Sequence, residues 1–303
     1  HYKLSGNTLK AKEYLLLSAV KSYNNFSYES ALNFIAQYRK RKLSKEEKSE
    51  SYLFEAEILK ILEKRDKAIE LCEKVKKSFD RGHKLFDKAV ALNAFLLFKS
   101  NLYDKVLKEV KLFSKNTDIN VFAQGYSFKG FAELFSGKTG NSEKTASKLY
   151  SLKNKVSDPK IKAIILNLSG NINLHKRNIT IARAYFEDML KIAIDNNLSD
   201  ERLKALQNIS VCHANAGEYK KAKEFLEKLY EEAVRIHNYD LIIVSINNIA
   251  NMAYATGEYK SAERLAEKGL KIAQKYKKHI LIDDILCCLA NIKLKQGTIE
   301  EAL

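Results

Sequence analysis

Residues 208–229, NISVCHANAGEYKKAKEFLEKL, and residues 248–270, NIANMAYATGEYKSAERLAEKGL, decide the fold of this chain. They align without a gap at a spacing of 40 residues. Residues 288–303, CLANIKLKQGTIEEAL, and residues 167–190, NLSGNINLHKRNITIARAYFEDML, fall into the same register. Gly217, Gly257 and Gly297 lie 40 apart, and Arg177 holds that slot one period earlier. Ala182, Ala222, Ala262 and Ala302 keep the same interval. So do Gly130, Gly170, Ser210, Ala250 and Ala290, which Ala94, Ala56 and Ala19 continue upstream at 36 to 38. Tyr28, Tyr103, Tyr219 and Tyr259 mark the start of a second segment.

Each slot has a physical reason. A small residue inside a helix lets a paired helix approach. A glycine ends that helix because the left-handed conformation costs it nothing. Ala222, Phe225, Leu226 and Leu229 then form one apolar stripe on the next helix. One hairpin cannot bury both its stripes, so neighbouring hairpins must stack.

Working outward, the same pattern predicts helices at 8–24, 28–41, 45–63, 65–79, 82–100, 102–115, 118–136 and 142–155. It continues at 158–176, 178–196, 199–216, 218–237, 239–256, 258–277 and 279–296. Composition agrees: 303 residues hold one proline, Pro159, and 11 glycines. Ser44 and Glu47 form a capping-box signature, and Pro159 suits a first helical turn capped by Ser157 or Asp158.

A small residue followed seven positions later by Gly-x-Tyr-x-x-Ala resembles the tetratricopeptide repeat. The resemblance covers residues 19–303, about seven and a half repeats of 36–40 residues, and is strongest over 200–303. The period exceeds the usual 34, and the closing proline is absent apart from Pro159. The resemblance implies an all-α, right-handed α-solenoid of helical hairpins. With no Gly/Pro/Ser-rich linker, residues 1–303 read as one continuous solenoid, with irregular leading helices over 1–40 and the most regular repeats over 160–303. The opening His-Tyr-x-x-x-Gly, with Ala11 and Ala19, resembles the segment after the ATPase region of large bacterial STAND-type signalling proteins. It implies a fragment flanked by an ATPase and an output domain.

Gly137-Lys138-Thr139 imitates the end of a phosphate-binding P-loop. That motif needs a glycine five residues earlier, and Ala132 stands there. Gly137 instead keeps the turn register, so we read a decoy. Ala146 follows it nine residues later, where Gly217 and Ala222 are five apart. We therefore expect a four-residue insertion in this turn, with a bend or contact loop at that point.

Catalytic and metal constellations are not apparent: the histidines fall on separate helices, and neither Gly-x-Ser-x-Gly nor His-Glu-x-x-His occurs. We expect no enzyme activity and no cofactor. The net charge of +16 comes almost wholly from lysine, with nine arginines. Scattered lysines favour solubility over bidentate phosphate recognition, which argues against nucleic acid as partner. No stretch reaches the 18 apolar residues of a membrane span. Cys72, Cys212, Cys287 and Cys288 read as buried free thiols in a reducing cytosol.

The polar residues that recur in register are Asn167 and Asn171, Asn247 and Asn251, Gln207 and Asn291. Asparagine is a mediocre helix-interior residue, so its recurrence needs a cause. One cause is hydrogen bonding between repeats, or codon bias. The other follows from the family resemblance, in which these positions face a concave groove, where amides could bind a peptide backbone. His175, Lys204, Asn215 and Tyr254 lie one or two turns away on the same helices. The expected function is a cytoplasmic, non-catalytic module binding a protein or peptide segment. The alternatives are a transcriptional or phosphatase regulator of the peptide-pheromone receptor type, whose solenoids also use groove asparagines, and an assembly scaffold working through self-association, end-to-end or convex contacts.

Overall fold

The computed structural model describes residues 8–297, and side chains from Lys10 onward. Ala302 and the His1–Gly6 motif lie outside the described residues. Among those described, every regular element is helical. The chain divides into two compact units, His1–Ser157 and Asp158–Leu303.

The first unit contains α1 (Thr8–Asn24), α2 (Tyr28–Arg39), α3 (Lys45–Ile61), α4 (Arg65–Lys76) and α5 (Lys84–Lys99). It continues with α6 (Tyr103–Glu109), a 3-10 turn (Val110–Leu112), α7 (Ile119–Phe135) and α8 (Thr139–Leu152). The second contains α9 (Pro159–His175), α10 (Ile179–Asp195), α11 (Ser199–Asn215), α12 (Tyr219–Arg235), α13 (Tyr239–Ala255), α14 (Tyr259–Lys275) and α15 (His279–Gln296). Within each unit, helices pack against the next in the chain, as stacked hairpins require.

The 40-residue period has a simple origin. Helices α9 to α14 are each 17 residues long. A three-residue turn follows each, so one beat takes twenty residues and one hairpin takes two. The middle residue of each turn is left-handed, at Arg177, Asn197, Gly217, His237, Gly257 and Lys277. The turn therefore forms with or without glycine, at a conformational cost of about 1 kcal/mol for an ordinary side chain.

Packing fixes the small slots. Gly170 sits against Phe186, whose ring would lie 2.4 Å from a β-carbon at position 170. The alanine slot on the second helix is fully buried at Ala31, Ala68, Ala182, Ala222 and Ala262. Asp158 caps α9 by accepting from the Lys160 and Ile161 amides, and Pro159 begins the helix. Ser44 and Glu47 form the expected capping box on α3.

Three expectations fail in the first unit. The turn at Gly137 carries no insertion: α8 starts at Thr139, two residues after the glycine, as α12 starts two after Gly217. The alanine slot is filled by Ser142, fully buried, whose hydroxyl donates to the Gly130 carbonyl at 2.8 Å. A serine with its hydroxyl satisfied packs as alanine does, and an apolar pattern overlooks it. Next, α6 ends at Glu109 instead of reaching residue 115. The chain leaves the helix so that Phe113 can lie on Gly125, where an added β-carbon would come within 2.6 Å of the ring. Last, residues 77–83 are a loop in which Phe79 and His83 stack at 4.1 Å and Gly82 is left-handed.

Candidate functional site

In the second unit the even helices cover one side of the odd helices and leave the other open. Three columns of residues occupy that open face. The first is Ile164, Lys204, Val244 and Asp284. The second is Asn167, Gln207, Asn247 and Cys287. The third is Asn171, Val211, Asn251 and Asn291. All twelve are half-buried or exposed, whereas their neighbours Leu166, Leu206, Ile246 and Ala250 are buried. Side chains one turn apart on a helix and one repeat apart along the stack thus share a face.

The amides divide into two groups. At α9 they are engaged with each other. Asn171 Nδ2 donates to both the Oδ1 and the carbonyl of Asn167, each at 2.8 Å. Asn208 Nδ2 reaches from α11 to Asn167 Oδ1 at 2.9 Å. Asn208 is a member that the sequence pattern did not single out, although its register partner Asn248 repeats it. This bond is the structural cause anticipated for recurring asparagines. From α11 onward, the side-chain amides of Gln207, Asn247, Asn251 and Asn291 have no hydrogen-bond partner among the described residues, and Asn247 Oδ1 is shut off from solvent as well. The free amides are therefore those of α11, α13 and α15.

The other expected residues are more dispersed. Lys204 lies 3.7 Å from Glu201, a buried carboxylate, so part of its charge is used within the chain. His175 is exposed at the end of α9. Asn215 donates to the Val211 carbonyl at 2.8 Å. Tyr254 leans on Tyr259, ring centroids 5.7 Å apart, and packs with the α13–α15 core.

A second polar cluster escaped the sequence reading. His213 is buried, its ring stacked on Phe225. Its Nδ1 lies 2.5 Å from Glu218 Oε2, which also accepts from Arg183 Nη1 at 3.2 Å. The bond to the His213 ring is the main cause holding the Glu218 carboxyl below its ordinary value. Beyond a packed core, the cluster ties α10, α11 and α12 together. The only signal in sequence was the five-residue step from His213 to Glu218 across a turn.

At Gly137-Lys138-Thr139 the geometry is that of a helix end. The Gly137 amide donates to Leu134 and the Lys138 amide to Glu133, both carbonyls of α7. A P-loop needs such amides free for phosphate. Lys138 Nζ lies 3.6 Å from Asp104. Cysteines 72, 212 and 288 are buried, but Cys287 is exposed, contrary to expectation, because its place in the second column faces away from the hairpin core. Among the described residues no three His, Cys, Asp or Glu side chains gather to hold a metal, and no helix is long and apolar enough to cross a membrane.

The tetratricopeptide repeat family model matches residues 201–275. No curated protein matches the chain in sequence. Among solved structures, a STAND (signal transduction ATPase with numerous domains) protein with a tetratricopeptide repeat sensor from Pyrococcus horikoshii is similar along the whole chain, with 19% identity and a TM-score of 0.69. The chain spans 46% of that protein's length. The apo quorum sensor NprR from B. thuringiensis is similar over 96% of this chain and 84% of its own, with 13% identity and a TM-score of 0.70. A Rap protein complexed with competence and sporulation factor covers 86% of this chain and 74% of its own, at 17% identity and a TM-score of 0.63. Residues 201–275 are thus similar to tetratricopeptide repeats in sequence, and the helical hairpins along the chain share the fold of tetratricopeptide-like solenoids, the STAND sensor among them.

Proposed function

We propose that the chain is a non-catalytic interaction module, and that the open face of α9, α11, α13 and α15 binds an extended peptide or protein segment. The observation that carries this reading is the set of unengaged amides at Gln207, Asn247, Asn251 and Asn291, repeating every hairpin on one face. An amide side chain both donates and accepts, so a row of them matches the alternating N–H and C=O groups of an extended backbone. Such a row recognises main chain first and leaves side-chain selection to the intervening positions. The engaged trio at Asn167, Asn171 and Asn208 stiffens the α9–α11 step and lies outside the binding amides.

Within a longer signalling protein the repeats would sense a segment rather than act on it. The fold shared with the quorum sensor NprR and with the Rap protein complexed with competence and sporulation factor favours, as a second reading, a regulator whose output responds to a short peptide. The test is binding of a randomised peptide library to the wild type and to Asn247→Ala/Asn251→Ala, with circular dichroism to verify folding. Losing both amides should weaken binding about tenfold or more, taking roughly 1 kcal/mol per hydrogen bond. Equal binding by the two proteins refutes the groove.

A further inference from the structure

The last step of the open face is chemically distinct from the rest. Between α13 and α15 lies a cavity of about 70 Å³, lined by Ile243, Val244, Asn247, Asn248, Leu281, Asp284 and Ile285. Its polar groups are one carboxylate and two amides, and no basic side chain lines it. The nearby lysines are used elsewhere: Lys278 pairs with Asp240 at 2.8 Å, and Lys293 pairs with Glu263. Asp284 is exposed and has no ion-pair partner among the described residues. Asp284 is the one carboxylate among the twelve residues of the three columns, in a chain with a net charge of +16.

Asn247 Oδ1 adds a second, independent requirement. It is closed off from solvent and accepts no hydrogen bond. An acceptor left in that state is unfavourable, and because Asn247 itself lines the cavity, a small rotation of its amide would present Oδ1 to a donor seated there. The cavity has room for about two water molecules at roughly 30 Å³ each, which suits a compact group. A primary ammonium meets all three conditions: it is small, it carries positive charge opposite Asp284, and its three N–H donors suit a carboxylate and two amide oxygens.

We propose that the α13–α15 cavity seats a primary ammonium group of the groove ligand, supplied by a lysine side chain or a free amino terminus. The inference rests on the peptide-groove reading and gives that groove a direction, with the ligand's basic group at the α15 end. Lys204, two repeats earlier in the column of Asp284, would then lie toward the ligand's neutral or acidic portion.

The experiment screens three randomised hexapeptide pools: one with free amino termini, one N-acetylated, and one with norleucine replacing lysine. Each is tested against the wild type, Asp284→Asn and Asn251→Ala. We expect the wild type to prefer ammonium-bearing peptides about threefold to tenfold and Asp284→Asn to lose that preference. Asn251→Ala should weaken all pools alike. A preference abolished by acetylation assigns the amino terminus, and one abolished by norleucine assigns the side chain. If peptides bind, depend on Asn251 and show no charge preference changed by Asp284→Asn, the ammonium seat is wrong and the groove stands. If no pool binds the wild type, the groove itself is wrong, and the seat falls with it.

Discussion

Gly170→Ala asks whether steric fit or helix propensity governs the small slot. The substitution adds one methyl group in the middle of α9. Propensity alone makes alanine better than glycine by about 1 kcal/mol in a helix interior. The structure says otherwise, because the new β-carbon would lie 2.4, 2.7 and 2.8 Å from three carbons of the Phe186 ring. Phe186 is fully buried among Ala163, Leu166, Ala182, Met189, Ala205, Ile209 and Cys212, so the ring has nowhere to retreat. Overpacking of this kind costs about 1–3 kcal/mol, which offsets the propensity gain and leaves a net loss of up to about 2 kcal/mol. The register suggests the compensation. Positions 170 and 186 become Ser210 and Leu226 one repeat later, then Ala250 and Ala266, so wherever the first position carries a β-carbon the second is smaller than phenylalanine. Phe186→Leu alone should cost about 1–2 kcal/mol through a cavity. Gly170→Ala/Phe186→Leu should cost less than the sum of its singles by about 1 kcal/mol. Urea unfolding followed by circular dichroism at 222 nm measures all four proteins. The slope must remain common to them, since uncoupled repeats would change it. A midpoint raised by Gly170→Ala, as propensity alone requires, refutes the packing argument.

Two further expectations concern titration and thiols. Glu47, Glu218 and Glu263 are each held below the ordinary carboxylate value, chiefly by Lys12, His213 and Lys293 respectively. A depressed folded value means stability that is fully present above the ordinary range near 4.5 and lost as pH falls through the depressed values. The melting temperature should therefore hold steady from neutral pH to about 5 and fall below about 4, and Glu218→Gln should show a shallower acid limb. Superimposable acid limbs would contradict that assignment. Burial pushes the Cys212 thiol up to about 11 and raises Cys72 and Cys288 as well, while Cys287 is exposed. Native protein at pH 7 should therefore react with maleimide at one thiol, and a peptide in the groove should slow that reaction. Two or more rapidly labelled thiols would show that the cysteine placement is wrong.

The second unit was legible because its repeats advertise themselves through glycine, tyrosine and alanine at fixed offsets. Its helix boundaries follow from sequence to within a residue or two for that reason. The first unit was harder to read where a residue type disguised its role. Ser142 filled an alanine slot, which turned a regular turn into an apparent insertion. Phe113 ended a helix through a contact with Gly125, twelve residues ahead, and no local propensity encodes such a contact. At the open face the amide columns could be read from register alone. The engaged trio at Asn167, Asn171 and Asn208 could not, because periodicity says which side chains share a face and nothing about which of them bond. His213 looked like an isolated histidine until the turn brought Glu218 beside it and the packing of the preceding hairpin brought Arg183.

The twenty-residue beat of helix and turn makes the second unit a ruler with fixed graduations. Hairpin turns and the turns between hairpins have the same length, and each interface is repeated by the next. Duplicating or excising forty residues therefore preserves the phase of every helix, with new side-chain contacts only at the join. Partial insertions would instead put the apolar stripe out of phase. The length of the open face is thus set in whole steps, each adding or removing one rung of the three columns.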